Sequence, residues 1–89
     1  MHAVVVSVTI NDFDQAKGFL EKQVVPQVKQ APGFVAGYWV ALDEHKKGRS
    51  IIAFESEDVA RNAAKMIAES NDEGVTIESV DVGEVAASA

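Results

Sequence analysis

Two neighbouring stretches of the chain, Phe34 to Leu42 and Arg49 to Glu55, read as strands that are apolar on both faces. Successive side chains of a strand point to opposite sides of the sheet. A sheet covered by helices on one side should therefore alternate apolar and polar residues. These strands do not. If the polar loop 43–48 joins them so that Leu42 pairs with Arg49, one face carries Gly37, Trp39, Ile52 and Phe54. The other face then carries Phe34, Ala36, Tyr38, Val40, Leu42, Ile51 and Ala53. A slip of one residue would exchange the two sets and still leave both faces apolar. Monomers rarely expose a contiguous apolar patch of more than a few hundred Å². The expected partner is a second copy of the chain, with Phe34, Tyr38, Val40 and Ile51 at the homodimer interface.

The other segments supply the layers around this hairpin. His2 to Ile10 is rich in β-branched residues, which suit a pleated surface. Asp12 has N-cap chemistry, with Gln15 at capping-box spacing. Phe13, Ala16, Leu20, Val24 and Val28 recur at helical intervals. Pro26 lacks an N–H and crowds the preceding turn, which predicts a kink or restart before the helix ends near Gln30. Ser56 caps a second helix, with Glu57 and Asp58 in its first turn and an apolar stripe of Val59, Ala60, Ala63, Ala64 and Ile67. Residues 71–74 form a turn, and Val75 to about Val85 a last strand. The order is βαββαβ, an α+β plait of ferredoxin-like type with a four-stranded antiparallel sheet. At 89 residues there is room for one domain, over 1–85, and residues 86–89 read as a frayed tail.

Charge and composition narrow the uses of such a plait. The formal net charge of −6 opposes binding to nucleic acid or to an anionic membrane. Without cysteine there is no disulfide framework, no thiol chemistry and no Cys pair of the kind a plait-type metal chaperone uses. The start of the chain has neither a basic leader nor a long apolar run, so the expected location is the cytoplasm. The segment Lys47-Gly48-Arg49-Ser50-Ile51-Ile52-Ala53-Phe54 superficially resembles the third strand of RNA-recognition modules. Their base-stacking aromatics occupy the third and fifth positions, which here are Arg49 and Ile51.

A closer likeness lies in Pro32-Gly33-Phe34-Val35, then Gly37-Tyr38-Trp39, and later Phe54-Glu55-Ser56-Glu57-Asp58 with Ala60 and Ala63. Over nearly the whole chain this pattern resembles the antibiotic-biosynthesis-monooxygenase-like family. The resemblance implies a dimeric α+β barrel, with two sheets packed face to face, helices outside and a cleft between helices and sheet. It also implies a cofactor-independent monooxygenase acting on an aromatic, polyketide-like small molecule, and therefore no cofactor. The alternative is a non-catalytic ligand-binding or dimerisation module of the same fold. Haem-degrading members carry a Trp at the end of the third strand and a His on the next helix. Here the strand ends in Phe54 and no His follows His45. Oxygenases of quinols use an Asn, a Trp, a Tyr and an Arg. Trp39 and Arg49 match two of these, the second strand has no Asn, and Tyr38 points to the opposite face.

The residues assigned to a pocket are thus Trp39, Phe54, Ile52, Gly37 and Arg49. Trp39 reads first as core packing that needs a partner for its N–H, with a ligand contact as the sharper alternative. His45 lies among charged loop residues and reads as solvated, with a proton shuttle as the sharper alternative. Asp12, Asp14, Glu57 and Asp58 are accounted for by helix starts. No His or carboxylate pair has metal-ligand spacing on one face, so no metal is expected.

Overall fold

A computed structural model of the chain describes residues 1–70 and 74–89. The expected turn at 71–74 therefore lies outside the described residues except for Gly74. The elements run β1 (His2–Ile10), α1 (Phe13–Phe19), a π-helical turn (Leu20–Val24), α2 (Val25–Gln30), β2 (Phe34–Leu42), β3 (Lys47–Phe54), α3 (Glu57–Glu69) and β4 (Val75–Glu84). The strands form one antiparallel sheet in the order β2-β3-β1-β4. This is the ferredoxin-like α+β plait.

Local chemistry sets the element ends. The Asp12 carboxylate accepts from the Gln15 N–H at 3.0 Å, and the Ser56 hydroxyl from the Val59 N–H at 3.3 Å. Each satisfies a helix donor that has no partner within the helix. Glu57 and Arg61 form an ion pair along the exposed side of α3, at 3.2 Å. Pro26 cannot donate, and its ring would crowd the carbonyl four residues back. The helix answers by widening: the Val25 N–H reaches the Leu20 carbonyl in a π turn, and α2 restarts with Pro26 in its first turn.

The covered face holds the core. Phe54, Ile52 and Val4 are fully buried, with Val6 and Ala60 beside them. Helix α3 packs directly on β1, β3 and β4, and α2 meets the sheet at β2. Gly48 sits where β3 passes the Val8 side chain. A Cβ at Gly48 would lie 2.7 Å from Val8 Cγ2, with Ile10 behind it.

Two sequence expectations need correction. The β2–β3 turn spans 43–46, so Leu42 pairs with Lys47 and Trp39 with Ser50, and Arg49 sits opposite Val40. The register differs by two residues from the expected one, which preserves parity and so leaves the faces of Gly37, Trp39, Tyr38, Val40, Ile51 and Ile52 as read from the sequence. Phe34 is different. A bulge between Phe34 and Ala36 turns Phe34 to the covered face, opposite Phe54, where the two rings meet edge to face with centroids 6.2 Å apart. One extra residue in a strand sends the side chains on its two sides to opposite faces, so Phe34 belongs to the core and not to the open face.

Gly48→Ala is expected to lower stability by about 1–2 kcal/mol. Overpacking against a β-branched neighbour costs about 1–3 kcal/mol, more than the gain of about 0.5–1 kcal/mol from replacing a strand glycine. A lower urea midpoint with an unchanged slope is the expected readout.

Candidate functional site

The first helical run packs most closely on the sheet at α2, and a cleft opens between the run and the sheet. The cleft has a volume of about 770 Å³, within the range of about 300–1,000 Å³ typical of small-molecule sites. Trp39, Ser50 and Ile52 line it from the sheet, Phe13, Leu20 and Val24 from the helical run, and Ile67 from α3. The π turn contributes to this lining: Leu20, Val24 and Val25 all reach the cleft, a wider stripe than one face of an α-helix presents.

Trp39 lies folded back along its own strand. A Cβ at Gly37 would stand 2.9 Å from Trp39 Cη2 and 3.1 Å from Cζ3. The glycine thus makes room for the six-membered ring of the indole. Phe54 and Ile52 also border the cleft from the buried core. Arg49 contributes to the cleft's edge, but its pairing with Val40 and Ser7 places it on the open face of the sheet.

One end of the cleft is backed by the β2–β3 turn. Asp43, Glu44 and His45 have φ of 52°, 55° and 70°, a left-handed run that costs roughly 1–2 kcal/mol per residue. The Lys46 N–H closes it on the Leu42 and Asp43 carbonyls, at 3.1 Å each, and two contacts to other elements hold it. The Ile10 N–H donates to the Lys46 carbonyl at 2.8 Å, and the His45 ring stacks on Phe13 with centroids 3.8 Å apart at 14°. His45 is therefore a packing partner of a cleft wall, a role its charged neighbours conceal in the sequence.

The cleft is almost free of charge. Lys17 and Glu21 border it, well exposed and 4.0 Å apart, a spacing worth little in water. Among the described residues no three His, Asp or Glu side chains converge to hold a metal ion. Neither the Trp39 N–H nor the Ser50 hydroxyl has a hydrogen-bond partner among the described residues. Ser50 was legible in principle, because alternation from Ile52 and Phe54 puts it on the same face as Trp39.

The open face is the second candidate surface. Tyr38 is 69% exposed, and Val40 and Ile51 are each 50% exposed. Leu42 stands beside them, and Ala36 and Ala53 fill the row toward Ala3. The β1–β4 side is polar. There Glu78 accepts hydrogen bonds from Thr9 and from Lys47, the latter at 3.1 Å. The Thr9 hydroxyl first, then the hydrogen bond and charge of Lys47, hold the Glu78 carboxyl below the usual glutamate range.

The fold and the two surfaces define a ferredoxin-like α+β protein with a helix-roofed apolar cleft and an exposed sheet face. Known structures agree on the fold. HapK from Hahella chejuensis superimposes with a TM-score of 0.69 at 13% identity, over all of this chain and 96% of that one. A dimeric ferredoxin-like protein from an uncultured marine organism gives a TM-score of 0.61 at 8% identity, over all of this chain and 98% of that one. No protein-family model matches the chain, and no curated protein matches it in sequence. No described helix is long and apolar enough to cross a membrane.

Because its folded-state proton affinity is depressed, Glu78 contributes stability above the ordinary glutamate range. That contribution is lost as pH falls through the lower folded value. Glu78→Gln is expected to flatten the acid side of the stability profile, read as urea midpoints across a pH series.

Proposed function

We propose that this protein works as a homodimer and binds a small aromatic molecule in the cleft over Trp39. The observation that carries the reading is the open, apolar space of about 770 Å³ beside that indole. A closed, self-filled core would have pointed to a purely structural module. The two sheets of the dimer face each other through Tyr38, Val40 and Ile51, as in a dimeric α+β barrel. The chain exposes 5908 Å², roughly 900 Å² more than area scaling gives for a monomer of this mass. That excess is on the order of what one partner buries in a standard interface, about 800 Å². One of the structures of similar fold is described as dimeric, which supports the same assembly here.

A second reading follows from the resemblance to the antibiotic-biosynthesis-monooxygenase-like family: cofactor-independent oxygenation of a bound phenol. In that chemistry the substrate supplies the electrons. One oxygen atom of O₂ enters the ring, and the other leaves as water with the two hydrogens the substrate loses. Trp39 in an accessible cleft favours this reading, whereas the scarcity of polar groups that could take the phenol proton favours binding without turnover.

The sole tryptophan reports both. Binding predicts saturable quenching of Trp39 fluorescence by naphthol- or anthraquinone-like compounds, with no oxygen uptake above background. Uptake that disappears in Trp39→Phe would select the oxygenase, and absence of quenching across the series would contradict both readings. For assembly, Val40→Asp or Ile51→Asp would bury an unpaired carboxylate, at a cost of several kcal/mol. Light scattering is expected to show loss of the dimer at micromolar concentration. A dimer that survives both substitutions would exclude this face as the interface.

A further inference from the structure

The cleft reading leaves open what kind of aromatic molecule fits, and the polar atoms on the cleft floor decide it. Trp39, Ser50, Val6 and Val80 form one row across the covered face of the sheet. Ser50 is the single residue of that row with a hydroxyl, and it is half-buried against the cleft. Both directions along its own strand are apolar or bare on this face, with Ile52 on one side and Gly48 on the other. Among the described residues its hydroxyl has no hydrogen-bond partner, so it keeps a donor and an acceptor for whatever enters. No charged side chain accompanies it: Lys17 and Glu21 pair with each other at the exposed border, and Arg49 belongs to the opposite face of the sheet.

We propose that Ser50 is the polar anchor of the cleft, and that the ligand is a flat, uncharged aromatic carrying one carbonyl or hydroxyl group that hydrogen-bonds the Ser50 hydroxyl. The inference rests on the cleft reading above and sharpens it. An anionic group at the Ser50 position would lie among Trp39, Ile52 and Val6, with Lys17 and Arg49 only at the border of the cleft, which is strongly unfavourable. A hydrocarbon would bury the Ser50 hydroxyl without a partner, which costs about 1–3 kcal/mol. A neutral ketone or phenol avoids both penalties.

Three related probes separate the terms: fluorene, 9-fluorenone and 9-fluorenone-2-carboxylate, each titrated against the full chain by Trp39 fluorescence. The expected order is fluorenone tightest, fluorene about tenfold weaker and the carboxylate weaker again by at least about tenfold. Ser50→Ala should erase the preference of ketone over hydrocarbon and leave fluorene affinity the same or slightly better. Ser50→Thr, which keeps the hydroxyl, should retain the preference. If fluorene and fluorenone bind equally to the wild type, or the carboxylate binds best, the anchor is wrong while the cleft stands. If Ser50→Ala weakens all three alike, Ser50 shapes the cleft rather than anchoring a ligand, and the proposal falls. If none of the three binds, both the anchor and the cleft reading fall.

Discussion

Side chains along a β-strand alternate with a period of two, and in this chain that alternation delivers apolar residues to both sides of one sheet. On the covered side it lines up Phe54, Ile52, Val4 and Val6, the heart of the core. On the other side it lines up Tyr38, Val40 and Ile51, which stand half or more exposed. The chain has only enough helix for one face. The open surface is therefore a consequence of composition and parity together, and a second copy is the economical way to shelter it.

The same shortage of covering material explains the cleft. Helix α3 sits close on β1, β3 and β4, whereas the first helical run packs on the sheet mainly through α2. Pro26 and the π turn before it stop that run from continuing as a straight α-helix. The run turns Phe13, Leu20 and Val24 toward the cleft instead. Its far end is steadied from outside by the His45 ring stacked on Phe13, at the cost of a left-handed turn. The fully buried side chains are few for a domain whose margin of stability is about 5–15 kcal/mol. A ligand in the cleft and a partner on the open face would each add to that margin, because both bind the folded chain alone.

Much of this was legible from the residues. The capping chemistry of Asp12 and Ser56, the break at Pro26 and the bounds of β1 and β2 all follow from local rules. The faces of Trp39, Tyr38, Val40 and Ile51 were also readable, because the turn is shorter than expected by two residues and a shift of two keeps parity. Phe34 was not. Nothing in Phe34-Val35-Ala36 marks Val35 as the extra residue of a bulge, and one extra residue is enough to reverse a face. Nor does helical periodicity say how far a helix stands from a sheet, so the cleft was expected only through the family resemblance, although the residues around it were named. Ser50 was overlooked for a simpler reason: attention to apolar alternation passes over the one polar residue in the row. The stacking of His45 on Phe13 joins elements that no local rule connects.

The central claim is that the native fold and the paired state are coupled through the open sheet face. Thermal unfolding of the unmodified chain, followed over a hundredfold range of protein concentration, tests it most directly. Coupling predicts a midpoint that rises steadily with concentration, as for a dimer that dissociates on unfolding. A midpoint that does not move, for a protein that sediments as a monomer throughout, would contradict it.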